Sequence, residues 1–116
     1  MVAKANVDVV ENLAGGVGVS EVHTIVSDEE LGKAANLYAK VVLKPHASVG
    51  WHQHVGETEP YYILSGKGVF IDNDESRTEV GAGDVCTIKD KQYHSIENIS
   101  EDEDLEFIAL IYNLFS

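Results

Sequence analysis

Between residues 37 and 112 a turn former interrupts the chain every few residues, and this punctuation decides what the chain can fold into. Pro45 ends the run over 37–44, Gly66 ends 59–65, Asn73-Asp74 closes 68–72, and Gly81-Ala82-Gly83-Asp84 follows 77–80. Such runs are short for helices and ordinary for strands. In the first of them Leu37, Ala39, Val41 and Leu43 recur with period two, so they share one face of a strand. Further strands are expected over 21–26, 51–54, 85–88, 93–97 and 105–112. About nine short strands with almost no helix predict an all-β sandwich or barrel. The one helical signal is Ser27 with Glu30 three residues on, a capping box that Gly32 cuts short.

The remaining segments are read against that frame of strands. Residues 1–18 form a lead-in, with a short strand over 7–10 and a flexible break at Gly15-Gly16-Val17-Gly18. The stretch Phe107-Ile108-Ala109-Leu110-Ile111 is apolar on both faces. A strand of that kind is expected to be covered on both sides, by the core and by another sheet or subunit. A length of 116 residues fits a single domain over 1–116, with the motif-bearing barrel over 37–112.

A net charge of -12 repels phosphate backbones and anionic lipid surfaces, so neither nucleic acid nor membrane is an expected partner. The acidic runs at 72–75 and 101–104 read as solvated turns. Cys86 is the only cysteine, which excludes an internal disulfide and leaves a buried thiol acting as a small hydrophobe. The first ten residues carry charges and no apolar h-region, so the expected compartment is the cytoplasm.

The chemistry lies in Gly50-Trp51-His52-Gln53-His54-Val55-Gly56-Glu57-Thr58-Glu59. Residues i and i+2 of a strand point the same way, so His52 and His54 project together. Glu59 opens the next strand after a short loop and can return its carboxylate to the same point. His94, on a later strand, would supply a third imidazole. Three imidazoles and one carboxylate suit one divalent transition metal ion (Mn, Fe, Co, Ni, Cu or Zn) and do not suit Ca or Mg.

This stretch resembles the first motif of the cupin superfamily: a glycine, His-x-His, three or four residues, a glutamate, six residues and a glycine. His54, Glu59 and Gly66 keep that spacing, while Gly50 is displaced towards His52 and Pro45-His46 stands where the family often has Pro-Gly. The second motif is glycine, five residues, proline, any residue, glycine, two residues, histidine, three residues, asparagine. Gly83, His94 and Asn98 fit it, and Lys89 and Lys91 replace the proline and the inner glycine. The resemblance implies a double-stranded β-helix (jelly-roll) barrel of the small bacterial kind. It also implies dioxygenase, decarboxylase, isomerase or lyase chemistry, or a binding module without turnover, and a homodimer.

Strand register then nominates neighbours of the metal. With Glu59 inward, Tyr61 and Ile63 face in too; with His94 inward, so does Gln92. Tyr61, Gln92 and Glu57 are the candidate acids, bases or substrate contacts. Glu57, in a glycine-containing loop, is expected to be largely solvated. Trp51 is expected to pack on its sheet or in an interface, and His23 and His46 do not fit the ligand frame. Arg77 is the only arginine and lies far in sequence from both motifs. Phosphosugar and dicarboxylate sites normally use Arg or Lys. The expected ligand is therefore a small neutral or weakly anionic, partly apolar molecule anchored by the metal; oxalate would have to chelate the metal directly.

Overall fold

The computed structural model describes residues 1–114 and contains ten strands. They are β1 (Asn6–Glu11), β2 (Val19–Thr24), β3 (Ala35–Leu43), β4 (Ser48–Gln53) and β5 (Glu57–Ser65), followed by β6 (Lys67–Ile71), β7 (Arg77–Gly81), β8 (Val85–Ile88), β9 (Tyr93–Asn98) and β10 (Leu105–Asn113). Two sheets face one another, a six-stranded sheet ordered β1-β2-β3-β10-β5-β8 and a four-stranded sheet ordered β4-β9-β6-β7. All the pairings are antiparallel. This is the expected jelly roll.

The alternation read from β3 holds. Ala39, Val41 and Leu43 are buried, and they join Ile63, Ile88, Ile96, Leu105 and Phe107 in the core between the sheets. Neighbours across an antiparallel ladder share a face. The opposite face of the larger sheet therefore carries Ile108, Tyr62 and Val85, paired directly from β10 through β5 to β8, and the neighbouring pair Tyr38–Leu110, with Lys40 as the β3 partner of Ile108. Tyr62 and Val85 stay exposed, so β10 has one face in the core and the other in an apolar stripe open on the surface.

Helix α1 (Asp28–Leu31) begins at Ser27, whose Oγ accepts the Glu30 N–H at 3.2 Å, and stops at Gly32 with φ 57°. In the lead-in the strand expected over 7–10 is present as β1, which extends the six-stranded sheet, and Leu13–Gly15 forms one 3-10 turn lying on β4. A Cβ on Gly16 would overlap the Ser48 carbonyl, and one on Gly50 would overlap the Ala14 carbonyl. Val17 N–H donates to Ser48 Oγ (3.0 Å), and Ser48 N–H donates to the Val17 carbonyl (2.9 Å). The glycine run is thus not a flexible break. Its glycines let two backbones touch.

Two departures from the motifs are absorbed without a change of turn. His46 (φ 64°) and Lys91 (φ 69°) take the left-handed conformation at the positions where the family has glycine. Lys91 N–H still donates to the His54 carbonyl at 2.7 Å, tying the turn before β9 to the metal-motif strand. A non-glycine residue held there costs roughly 1 kcal/mol. Lys91→Gly is accordingly expected to raise stability by about 0.5–1 kcal/mol in urea denaturation, with the slope m unchanged.

Cys86 is buried as expected. Burial, with Asp84 and Asp72 nearby, pushes its thiol up to about 11.

Candidate metal centre

The site lies between the sheets. His52 on β4 and His94 on β9 are register partners in the smaller sheet, His54 follows just after β4, and Glu59 reaches across from β5. β4 bulges between Val49 and His52, which turns both histidines of the pair towards the interior. Pro60 lies inside β5, where it pairs with Thr87 of β8 and has no partner on β10.

The donor atoms converge. His54 Nε2 is 2.9 Å from His52 Nε2, 3.1 Å from His94 Nε2 and 3.0 Å from Glu59 Oε1. His94 Nε2 is 3.2 Å from His52 Nε2 and 3.1 Å from Glu59 Oε1. His52 and Glu59 make no such contact, although all four donors lie within 4.8 Å of one another. Five edges near 3 Å and one longer diagonal describe four corners of an octahedron. Ligands about 2.1 Å from a common centre have adjacent corners about 3.0 Å apart, whereas a tetrahedron has six equal edges. His52 and Glu59 form the diagonal, which leaves the corners opposite His54 and His94 side by side.

The surroundings prepare this set for a cation. His52 Nδ1 donates to the Gly50 carbonyl (2.6 Å) and His54 Nδ1 donates to Glu57 Oε1 (2.6 Å), which turns both Nε2 atoms to the centre. Glu59 Oε1 is buried and has no well-aligned hydrogen-bond partner. A divalent cation satisfies the carboxylate and the three imidazoles at once, so the residues fit a metal. Burial opposes the charge on His54, but Glu59 and Glu57 outweigh it and hold the imidazole above its ordinary pKa. Burial likewise opposes the Glu59 carboxylate, and His54 and His94 more than offset it and hold its pKa below the usual range. His94 is pushed down, chiefly by burial.

The three candidate acid–base residues separate. Tyr61 lines the cavity beside the site, and its ring stacks on His94 at 5.1 Å. Burial and the neighbouring Glu59 push its phenol well up, so it is a neutral hydroxyl at physiological pH. Glu57 is not a solvated loop residue. It opens β5, lies behind His54, and accepts from Asn36 Nδ2 at 2.6 Å through its other oxygen. Gln92 does not face the cavity; its Oε1 accepts the Lys89 N–H at 2.9 Å and closes the turn before β9. Trp51 packs on its sheet, stacked on Tyr93 at 5.6 Å. His23 pairs with Glu21 at 2.8 Å on β2, and His46 is remote from the donors.

Beside the donors lies a cavity of about 230 Å³. His52, Glu59 and Tyr61 are its polar lining; hydrocarbon from Leu13, Ala14, Val22, Leu37, Val41, Val49, Phe107, Ala109 and Ile111 makes up the rest. It touches His52 and Glu59 but not His54 or His94, as expected of a space facing the two side-by-side corners. The sequence reading missed Leu13 and Ala14. Only the close backbone contact of Gly16 with β4 brings them here, and no local pattern encodes it.

A jelly roll with three imidazoles and one carboxylate converging between its sheets defines a metal-centre barrel of the cupin class. The chain belongs to the cupin family: the sequence model described as "Cupin domain" matches residues 39–111. It is 45% identical over 102 residues to an oxalate-binding protein of Thermotoga maritima, covering 88% of this chain and 83% of that one. The crystal structure of a predicted oxalate decarboxylase from Thermotoga maritima superposes with a TM-score of 0.90 at 42% identity, covering 98% of this chain and all of that one. An oxalate decarboxylase of Arthroderma benhamiae is 41% identical over 76 residues, which is 62% of this chain and 18% of that protein.

Proposed function

We propose that this protein holds one divalent transition metal ion with His52, His54, Glu59 and His94, and uses it to capture a small chelating molecule through two oxygen donors. The observation that carries the reading is the donor set, four ligand atoms within 4.8 Å of one another beside a cavity that His52 and Glu59 line, where a bound metal would meet a chelator. The likeness to an oxalate-binding protein supports a chelating carboxylate. It also answers the doubt raised by the lack of a pocket cation, because a chelator needs no arginine if the metal holds it. When bound, the metal supplies Lewis acidity. His52 and Glu59 flank the chelator, Tyr61 offers one neutral O–H, and the hydrocarbon walls exclude water. The experiment is calorimetric titration of oxalate and pyruvate into the Mn(II)-loaded and the metal-stripped protein. Binding that appears only with metal is expected; equal binding without metal would refute the proposal.

Capture without turnover is favoured over catalysis by the shortage of acids and bases. Glu57 and Gln92 are engaged elsewhere, which leaves Tyr61 as the candidate proton donor. Catalysis of the oxygenase, decarboxylase, isomerase or lyase kind is the second reading, supported by the partial match to an oxalate decarboxylase. Product formation under air with Mn(II) or Fe(II) would favour it.

Glu57 supports the site through His54. Glu57→Gln keeps the shape and weakens the acceptor for His54 Nδ1–H. Metal affinity is expected to fall about 10- to 100-fold, measured by competition with a chromophoric chelator.

The open stripe of Tyr38, Leu110, Ile108, Tyr62 and Val85 supports a homodimer in which a second copy covers it. Light scattering at micromolar concentration is expected to give twice the chain mass, and Tyr62→Glu with Val85→Glu to give the monomer.

A further inference from the structure

The metal reading leaves open what the cavity selects, and the cavity is built for hydrocarbon. We infer that the preferred ligand is a monoanionic two-oxygen chelator carrying an apolar tail, of the 2-oxo acid, 2-hydroxy acid or enolised 1,3-diketone kind, and that the Leu13–Gly15 turn with Leu37 forms the wall that selects the tail. The inference rests on the metal proposed above.

Charge is the first argument. A divalent ion and the ionised Glu59 leave one net positive charge, which a monoanion cancels. A dianion such as oxalate leaves an unbalanced negative charge in a chamber that no Lys or Arg lines among the described residues. Three of the described cations are engaged in ion pairs elsewhere: Lys40 with Glu106 (3.3 Å), Lys44 with Asp104 (3.1 Å) and Arg77 with Glu97 (2.7 Å). An overall charge of -12 adds to the cost of bringing in a dianion.

Polarity is the second. Oxalate chelating through two oxygens turns its other two away from the metal, where each needs a donor. Tyr61 is the one hydroxyl in the lining, and His52 Nδ1 is already committed to the Gly50 carbonyl. Polar oxygens set against hydrocarbon without partners are costly, whereas a hydrocarbon tail in the same place is favourable.

The wall is fixed, not a loose strap. Asn12 N–H donates to the Gly18 carbonyl (3.0 Å), Gly16 N–H donates to the Leu13 carbonyl (2.9 Å), and Ser48 locks Val17 from both sides. Leu13 on the turn and Leu37 on β3 are both partly buried against the core, and both line the cavity. A pinned apolar wall selects by fit, because it cannot withdraw to admit water around a charged ligand.

The test uses the full chain loaded with Co(II), whose visible absorption reports ligands entering the metal shell. The probes are oxalate and the series pyruvate, 2-oxobutanoate, 2-oxopentanoate and 2-oxohexanoate. Affinity is expected to rise about fourfold per added methylene until the cavity is full. Oxalate is expected to bind no tighter than pyruvate. Leu13→Gln and, as an independent change on β3, Leu37→Gln should each flatten the series and, by offering an amide donor to its outer oxygens, leave oxalate bound no more weakly than before. A flat series in the unaltered protein, or oxalate binding at least tenfold tighter than every 2-oxo acid, would overturn the inference and leave the metal reading standing. Failure of Co(II) to bind, or of any probe to change its spectrum, would overturn both.

Discussion

Loading with a divalent transition metal is expected to raise the thermal unfolding midpoint by about 10 °C, and Glu59→Ala to remove that increment entirely. Anything that binds only the folded state stabilises it by mass action, about 2.7 kcal/mol when the free ligand is at 100 times Kd. For a chain of this size each kcal/mol moves the midpoint by several degrees. The four donors come from β4, the loop after it, β5 and β9, so they are not assembled in the unfolded chain. Glu59 matters beyond its share of the coordination, because it reaches from the larger sheet to His94 on the smaller one and to His54 just after β4. In Glu59→Ala two buried imidazoles and the half-buried His52 remain with no coordinating anion to balance a divalent charge. The increment should also shrink as pH falls, since a proton competes with the metal for each imidazole. Glu59 and Glu57 hold His54 above the ordinary imidazole value, so in the metal-free protein it keeps its proton to higher pH than a free imidazole does. Scanning calorimetry with metal and with a chelator, at neutral pH and near pH 5, reads all three effects. An unchanged midpoint on loading would argue against a resident metal.

Asn98→Ala is expected to be the most damaging single change outside the site, costing about 3 kcal/mol and lowering the midpoint by about 10–15 °C. Asn98 is buried at the end of β9. Its Nδ2 donates to the carbonyls of Leu43 (2.9 Å), Lys44 (3.2 Å) and Glu103 (2.8 Å), and its Oδ1 accepts the Ser100 N–H (2.9 Å). One side chain thus ties the end of β3 to the acidic loop before β10. Truncation leaves several backbone groups without partners in a dry place, and losing buried partners costs far more than a hydrogen bond adds on average. Asn98→Asp is the informative control. It keeps the size and the Ser100 contact but cannot donate, so it should be at least as damaging as alanine. A stable Asn98→Asp variant would show that the donations are dispensable.

How much of this could be read in the sequence depends on how local each feature is. Strand alternation is local, so the inward Tyr61 and Ile63 and the outward Tyr62 and Leu64 follow from position alone. The spacing of His52, His54 and Glu59 is local in the same way, and His94 kept its place although Lys91 replaced a glycine, because Lys91 took up the glycine's conformation. Glu57 was not legible. Gly56, at φ 76°, turns the chain so that Glu57 falls behind His54, and a backbone angle leaves no trace in side-chain pattern. Gln92 failed for a related reason, since period-two reasoning holds inside a strand and Gln92 lies in the turn before β9. The apolar wall from Leu13 was hidden because it depends on contact between Gly16 and Ser48, far apart in the chain. The absence of a cation from the pocket lining among the described residues was legible, since the only arginine lies outside both motifs, and it speaks for a monoanion over a dicarboxylate at the metal.

Metal stoichiometry decides whether His52, His54, Glu59 and His94 hold one metal ion together. Elemental analysis after loading with Mn(II), Co(II) or Zn(II) and desalting should give close to one equivalent in the unaltered chain. His52→Ala, His54→Ala, Glu59→Ala and His94→Ala, each checked for folding by circular dichroism, should each retain less than about a tenth of it. Full occupancy in any folded variant, or none in the unaltered chain, would contradict the account.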